Sequence, residues 1–285
     1  MAHVAAWARG IKGARRNAAF PFGQAALPLQ RWYATSVTIL QEGLLPVIET
    51  HLAKLRARDT ISLEEEQVIR ASLGEVRDLP AHDTCIRAGQ RLTVSTLLLE
   101  GLMCRYKDLP GGERQITELH VAGDFLDLHS FSLKQLDHNV MTLTPCRVVL
   151  VPHTKLTEIT EKQPHLARVY WFLTALDAAI HREWELSLGR RTAIQKIAHL
   201  VCELRVRLGL IGEADDSGFA LPLTQTDLSD CTGLTPVHVN RTLRDLRERG
   251  LMDFRGRRVT IHDLAGLMAL AEFDNSYLYL RREER

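Results

Sequence analysis

The chain has 285 residues, and its 36 lysines and arginines nearly balance 35 acidic residues, which gives a net charge of +1. This balance excludes a protein that is basic throughout, so nucleic-acid binding would need a local concentration of positive charge. No apolar run approaches the roughly 18–20 residues that a membrane span requires, so no membrane association is expected. The cysteines are odd in number and form no CxxC pair, which argues against a disulfide framework or zinc ribbon and favours a cytoplasmic location. They are Cys85, Cys104, Cys146, Cys202 and Cys231.

Residues 1–42 are expected to form a disordered tail. The segment is basic around Arg15 and Arg16, but a secretory signal would need an apolar stretch after these charges. Pro21 and Gly23 follow instead. We therefore expect this segment to lie outside the folded domains.

Residues 43–162 are predicted to form a sensor domain built on a small antiparallel β-roll. Apolar residues recur at helical spacing over residues 44–73. Over residues 83–151 the pattern changes to short apolar runs separated by glycines, which is typical of strands joined by turns. Pro110-Gly111-Gly112 has the composition of a hairpin tip.

Residues 163–209 are predicted to form a dimerisation helix and a connector helix, with a break near Gly189. Apolar residues alternate three and four positions apart, as on a helix that packs along a partner. The run is long and separates two domains, so we expect the partner to be the same helix of a second chain. A core helix within one chain is the alternative. The predicted dimer interface consists of Leu166, Val169, Leu173, Leu176, Ile180 and Trp184.

Residues 210–285 are predicted to form a DNA-binding domain. Thr224 can cap a short helix, Gly233 permits a tight turn, and Thr235 can cap a second helix that begins at Pro236. The second helix carries polar and basic residues near its start. This pattern is typical of a helix-turn-helix, whose second helix enters the major groove of double-stranded DNA.

A basic hairpin follows the second helix. Residues 251–254 and 259–261 are predicted strands, and Arg255, Arg257 and Arg258 lie at the turn between them. Such a wing can neutralise phosphates, which supplies affinity without reading the base sequence.

Two segments carry a resemblance to a known family. LTQTDLSDCTGLTPVHVNRTLRDLRERGLM resembles the helix-turn-helix of the Crp/Fnr family of bacterial regulators, and CIRAGQRLTVSTLLLEGLMCRYKDLPGGERQITELHVAGDFLDL is similar to that family's cyclic-nucleotide-binding-like β-roll. The resemblance covers about residues 44–270. It implies an α+β fold with an N-terminal antiparallel β-roll, a long dimerisation helix and a C-terminal winged helix-turn-helix. It also implies a homodimeric transcription regulator, not an enzyme, that acts on near-palindromic promoter sites with RNA polymerase as a further partner.

The resemblance also implies roles for residues of the second helix and the wing. An arginine at the position of Arg241 typically reads a base in the family, and this residue is present here. Val237 replaces a common glutamate and could pack on a thymine methyl, which leaves the operator sequence open. The predicted base contacts are Pro236, Val237, Asn240 and Arg241. The predicted phosphate contacts are Thr224, Thr235, His238, Arg244, Arg255, Arg257 and Arg258.

The sensor departs from the family members that bind cyclic AMP. Those members hold the cyclic phosphate with a Gly-Glu pair and an Arg-Ser pair, which correspond here to Asp127-Leu128 and His138-Asn139. Asp127 would repel a phosphate, so we expect an effector other than cyclic AMP. No cysteine precedes Cys85, so an Fnr-type iron–sulfur cluster is not expected, and no cofactor or metal is predicted. The predicted effector pocket consists of Asp127, His129, His138 and Asn139.

Two other functions stay open on the sequence. A β-roll resembles the barrel of metal-dependent oxygenases, although the chain has no HxH, HExxH, P-loop or GxSxG motif. A sensor that has lost DNA binding is the second alternative, and Arg241 and the basic wing argue against it.

Overall fold

Two helices precede the β-roll in residues 48–285, the part of the chain that the computed structural model describes. They are α1 (Glu49–Arg56) and α2 (Leu63–Ala71). Helix α2 begins with a capping box, in which the Ser62 hydroxyl accepts from the Glu65 amide at 3.2 Å and Glu65 Oε2 accepts from the Ser62 amide at 2.9 Å. The tail predicted for residues 1–42 lies outside the described residues.

Seven strands form the predicted antiparallel β-roll, which is confirmed. One sheet has the order β1-β7-β3 and the other the order β2-β6-β4-β5. Alternating apolar side chains of both sheets form the core between them. The strands are β1 (Val76–Leu79), β2 (Thr84–Ile86), β3 (Val94–Glu100), β4 (Leu102–Asp108), β5 (Arg114–Val121), β6 (Asn139–Thr142) and β7 (Cys146–Pro152), and the short helix α3 (Ser130–Leu133) precedes β6.

The hairpin between β4 and β5 turns at the predicted glycine pair. The Leu109 amide donates to the Glu113 carbonyl at 2.8 Å, and Gly112 has φ +96°, a conformation that favours glycine. The hairpin also contacts the C-terminal domain of the same chain, because Gln115 Nε2 donates to the Asp230 carbonyl at 2.7 Å.

Three helices connect the β-roll to the C-terminal domain. They are α4 (His153–Lys162), α5 (Pro164–Arg190) and α6 (Ala193–Gly209). At 27 residues, α5 is about 40 Å long. The break between α5 and α6 falls at Arg191, which has extended backbone, and the Gln195 side chain then accepts from the Thr192 amide at 3.0 Å to begin α6. The division into domains at residues 162 and 209 stays a prediction.

The six residues predicted for the dimer interface pack inside one chain. Leu166 and Val169 belong to a core cluster that contains Leu97 of β3 and Val149 of β7, and Leu173 packs against this cluster partly buried. Leu176, Ile180 and Trp184 belong to a second cluster, which is shared with β5 and α6. Burial of five of the six side chains within one chain argues against this set as the contact between chains, and the assignment stays a prediction. Their periodicity showed that one helix face is buried, but not which chain covers it.

The C-terminal domain has the predicted winged helix-turn-helix fold. A four-stranded sheet of order β10-β11-β9-β8 packs with two helices of the helix-turn-helix. Among residues 48–285, no helix is long and apolar enough to cross a membrane. The elements are β8 (Ala214–Asp215), β9 (Gly218–Ala220), α7 (Gln225–Thr232), α8 (Pro236–Glu248), β10 (Met252–Arg255), β11 (Arg258–Ile261), α9 (Leu264–Ala271) and a 3₁₀ helix (Asn275–Leu278).

Candidate DNA-binding interface

The turn between α7 and α8 is fixed by local hydrogen bonds. The Thr224 hydroxyl accepts from the Asp227 amide at 3.1 Å at the start of α7, and the Thr235 hydroxyl accepts from the His238 amide at 3.3 Å at the start of α8. Between them Gly233 has φ +63° and ends α7. The caps therefore define where α8 begins and which of its side chains face outward.

Helix α8 buries one face and exposes the other. Val239, Thr242 and Leu246 are buried, whereas Pro236, Val237, Asn240, Arg241 and Arg244 are exposed. The side chain of Val237 is 79% exposed. All four predicted base contacts thus lie on the exposed face.

Two side-chain pairs organise this exposed face. Gln225 Nε2 donates to Asn240 Oδ1 at 2.6 Å, and Asn240 Nδ2 donates back to Gln225 Oε1 at 2.7 Å. A guanidinium nitrogen of Arg241 contacts Nε2 of His238, which lies one turn earlier on α8. Gln225 was not predicted as a site residue. Its position directly after the Thr224 cap was the available signal, since the first turn of α7 points toward α8.

The wing has the geometry of a two-residue hairpin. Gly256 and Arg257 both have positive φ, +57° and +59°, as in a type I′ turn. Arg255 and Arg258 are paired across the strands, and all three predicted wing arginines are exposed. Arg244 of α8 faces the groove between α8 and the wing, together with Arg247.

The exposed surface of α8 and the wing is strongly basic although the whole chain is nearly neutral. Residues 236–258 contain seven arginines against three acidic residues, Asp245, Glu248 and Asp253. This is the local concentration of positive charge that binding to a phosphate backbone requires.

The four residues of the predicted effector pocket do not line one cavity. Asp127 is fully buried, and its carboxylate accepts from the Thr96 amide at 2.5 Å. Asn139 Oδ1 accepts from the Ala88 amide at 3.0 Å on the outside of the roll. The His138 ring lies 5.4 Å from the His129 ring, and of the four only His129 lines a cavity of about 60 Å³ between the β-roll and α5. The assignment of these four residues to an effector pocket stays a prediction.

The cavity beside α5 contains a buried network of charged groups that the sequence analysis did not identify. Arg105 of β4 donates to Asp177 of α5 at 2.6 and 2.8 Å and to Glu118 of β5 at 3.1 Å. Nearby, Arg207 of α6 donates to the Asp124 carboxylate at 3.0 Å. These residues come from four different elements, so no local motif could have revealed the network.

A β-roll followed by a long helix and a winged helix-turn-helix with a basic outer face defines a DNA-binding regulator with a sensor domain. Comparison with known families agrees with this architecture. Residues 195–270 match the Crp-like helix-turn-helix domain, and residues 76–163 match the cyclic nucleotide-binding domain.

Several characterised proteins are similar to most of the chain. The nitrogen fixation regulation protein FixK of Bradyrhizobium diazoefficiens is 32% identical over 179 residues, which cover 61% of this chain and 72% of FixK. The transcriptional activator protein FnrL of Cereibacter sphaeroides is 28% identical over 217 residues, which cover 74% of this chain and 86% of FnrL. The solved structure of FixK2 from Bradyrhizobium japonicum superposes with a TM-score of 0.64 at 26% identity and covers 69% of this chain and 96% of FixK2. The chain belongs to the Crp/Fnr family and is a DNA-binding transcription regulator.

Proposed function

We propose that the protein acts as a homodimer that reads a near-palindromic promoter site with the exposed face of α8. The observation that carries this proposal is the position of Arg241, Asn240 and Val237 together on that face, beside a basic wing. Arg241 specifies a base, because an arginine can donate two hydrogen bonds to a guanine edge. Pro236 and Val237 contact bases by packing. Phosphates are held by Thr224, Thr235, His238, Arg244, Arg255, Arg257 and Arg258.

The two chains pair through the outer face of α5. Trp171 is 76% exposed and Leu186 is 48% exposed, although both lie on a helix whose opposite face is fully packed. Ala175, Ala178 and Arg182 are exposed between them, and the five residues follow one another at spacings of four, three, four and four. Small residues between large apolar ones let two helices approach closely along such a seam. The homodimer predicted from the sequence is thus retained, with a different set of contacting residues.

Dimer symmetry determines the form of the DNA site. A twofold axis along paired α5 helices places two copies of α8 on one side of the dimer. For two half-sites on one face of DNA, the recognition helices must lie one helical turn apart, about 34–36 Å. The expected operator is therefore an inverted repeat. Several relatives are called transcriptional activators, which supports a role in activation through contact with RNA polymerase.

The effector is not cyclic AMP. The cavity between the β-roll and α5 measures about 60 Å³, whereas pockets for ligands of nucleotide size typically measure roughly 300–1,000 Å³. The ion pairs of Arg105 with Asp177 and with Glu118 line this cavity. Membership of a regulator family also favours a regulator over the metal-dependent enzyme considered from the sequence.

Selection of bound sequences from a random DNA pool tests the proposal. The full chain, without added ligand, should enrich an inverted repeat, and Arg241→Ala should enrich the same repeat with one position per half-site relaxed. Arg249→Ala is the matched control, because Arg249 lies at the end of α8 and is paired with Asp245. Enrichment of a sequence without inverted symmetry would contradict the homodimer. A consensus that is unchanged in Arg241→Ala would contradict the role of Arg241 in specifying a base.

A further inference from the structure

Two carboxylates and three imidazoles converge beside the cavity between the β-roll and α5. His181 Nδ1 lies 3.1 Å from Glu118 Oε2, and His120 Nε2 lies 3.8 Å from the same oxygen. His129 Nδ1 lies 3.8 Å from Asp177 Oδ2. Donor atoms of Glu118, Asp177 and His181 all lie within 4.8 Å of one another. This spacing allows one small cation to contact all three.

One buried nitrogen in this cluster lacks a partner. His120 is 1% exposed, and within the described residues its Nε2 accepts and donates no hydrogen bond. An unsatisfied buried polar atom is costly and calls for an explanation, such as a bound ion or water. The unpaired nitrogen lies 3.8 Å from Glu118 Oε2, the same oxygen that His181 Nδ1 approaches, so it is adjacent to the three donor atoms.

The cluster combines imidazole nitrogens with carboxylate oxygens. Neutral imidazole nitrogens and carboxylate oxygens are ligands that suit zinc, iron and manganese in their divalent states.

Arg105 also contacts this cluster, and its position is compatible with a bound cation. Its Nε donates to the Leu126 carbonyl at 2.7 Å, and its Nη1 donates to Glu118 at 3.1 Å and to Asp177 at 2.6 Å. A carboxylate has about four acceptor positions, so Asp177 can accept from Arg105 and still bind an ion toward His181. Because the His181 side chain is 36% exposed, the cluster can be reached from solvent.

We propose that Glu118, Asp177 and His181 bind a divalent transition-metal ion, with the free Nε2 of His120 as the nearest additional nitrogen ligand. The cavity of about 60 Å³ has room for an ion and a water molecule, whose share of liquid volume is about 30 Å³. Such an ion joins β5 to α5, the helix through which we propose that the two chains pair. The sequence offered no metal motif because the ligands lie on distant segments.

Zinc binding by the metal-free full chain tests this site. In competition with a chromophoric chelator, we expect one Zn²⁺ per chain, and His181→Gln and Glu118→Gln should each weaken binding roughly tenfold or more. His262→Gln is the control, because His262 is an exposed histidine paired with a carboxylate, Asp253. Zinc should raise the melting temperature of the wild type and of His262→Gln, but not that of His181→Gln.

The variants remain informative if one of them is unstable. Circular dichroism of the metal-free proteins identifies any variant that fails to fold, and Glu118→Gln preserves the shape of the side chain if His181→Gln does not fold. Absence of stoichiometric Zn²⁺, or equal affinity of the wild type and both ligand variants, would overturn the proposal.

Discussion

Replacement of Arg207 by methionine should strongly destabilise the protein. Arg207 is buried on α6, and its guanidinium donates to the Leu119 carbonyl at 2.7 Å, to Asp124 at 3.0 Å and to Glu203 at 2.9 Å. Methionine fills similar space but leaves the buried Glu203 and the partly buried Asp124 without this partner. Removing one partner of a buried ion pair typically costs about 3–5 kcal/mol. In the variant, Asp124 still accepts a hydrogen bond from Lys54, and Glu203 still accepts one from the indole of Trp184. We therefore expect a loss of unfolding free energy at the lower end of this range, about 3 kcal/mol.

Thermal unfolding at a fixed protein concentration measures this loss. For a chain of this size, each kcal/mol corresponds to about 2–4 °C, so Arg207→Met should melt about 6–12 °C below the wild type. Arg205→Met is the matched control, because Arg205 lies on the same helix and pairs with Asp216, whose side chain is 80% exposed. Its loss should cost at most about 1 kcal/mol. Equal shifts for both variants would refute the argument that burial of the charge network determines the cost.

Three further predictions follow from the interface, the dimer and the pH dependence. Arg257→Ala should weaken binding to all DNA sequences equally and reduce the slope of log affinity against log salt concentration by about 1, as measured by fluorescence anisotropy. A changed DNA consensus in this variant would contradict a phosphate contact by Arg257. Trp171→Glu should convert the dimer to monomers in sedimentation velocity, while Leu133→Glu, at an exposed apolar site of the β-roll, should not. Dimers in both variants would contradict a dimer interface on α5. Burial raises the pKa of Asp127 from 3.8 to about 7, so the native state retains a proton that the unfolded state releases. The resulting stability is full below pH 3.8 and is lost as pH rises to about 7. In Asp127→Asn, the unfolding free energy should therefore fall less steeply between pH 3.8 and about 7. An unchanged dependence on pH in this variant would show that Asp127 does not cause the fall.

The DNA-binding face could be predicted from the sequence because its signals are local. Thr224, Gly233, Thr235 and Pro236 each act on a neighbouring turn, and together they define the two helices within one residue of their observed ends. The exposed face of α8 then follows from helical periodicity alone. Gln225 was missed because its pairing with Asn240 depends on how the two helices pack.

The proposed dimer face could not be predicted from the apolar periodicity of the sequence. The apolar residues of α5 from Leu166 to Trp184 are the most regular in the chain, and the β-roll and α6 of the same chain cover them. The exposed face has Trp171 and Leu186 separated by alanines and Arg182, a weaker pattern that becomes visible only when the packed face is known. Strand β1 was missed for a related reason, because its sequence VRDL lacks the apolar alternation of a half-buried strand.

The charge network beside α5 depends on tertiary contacts. Arg105, Glu118, Asp177 and Arg207 are separated in sequence by many residues, and each looks like an ordinary surface charge in its local context. Only the packing of α5 and α6 against β4 and β5 brings them together and buries them. Charged residues are rarely buried unless paired, so sequence reasoning correctly favours exposure in most cases and fails here.

The mass of the protein–DNA complex is the most direct test of the central claim. With a duplex that carries the selected inverted repeat, sedimentation equilibrium should give two chains per duplex, and a duplex with one half-site destroyed should bind much more weakly. The same two-chain stoichiometry should be lost in Trp171→Glu. A single chain bound per inverted repeat, or equal affinity for the intact site and the half-site, would contradict a homodimer that reads DNA through paired α8 helices.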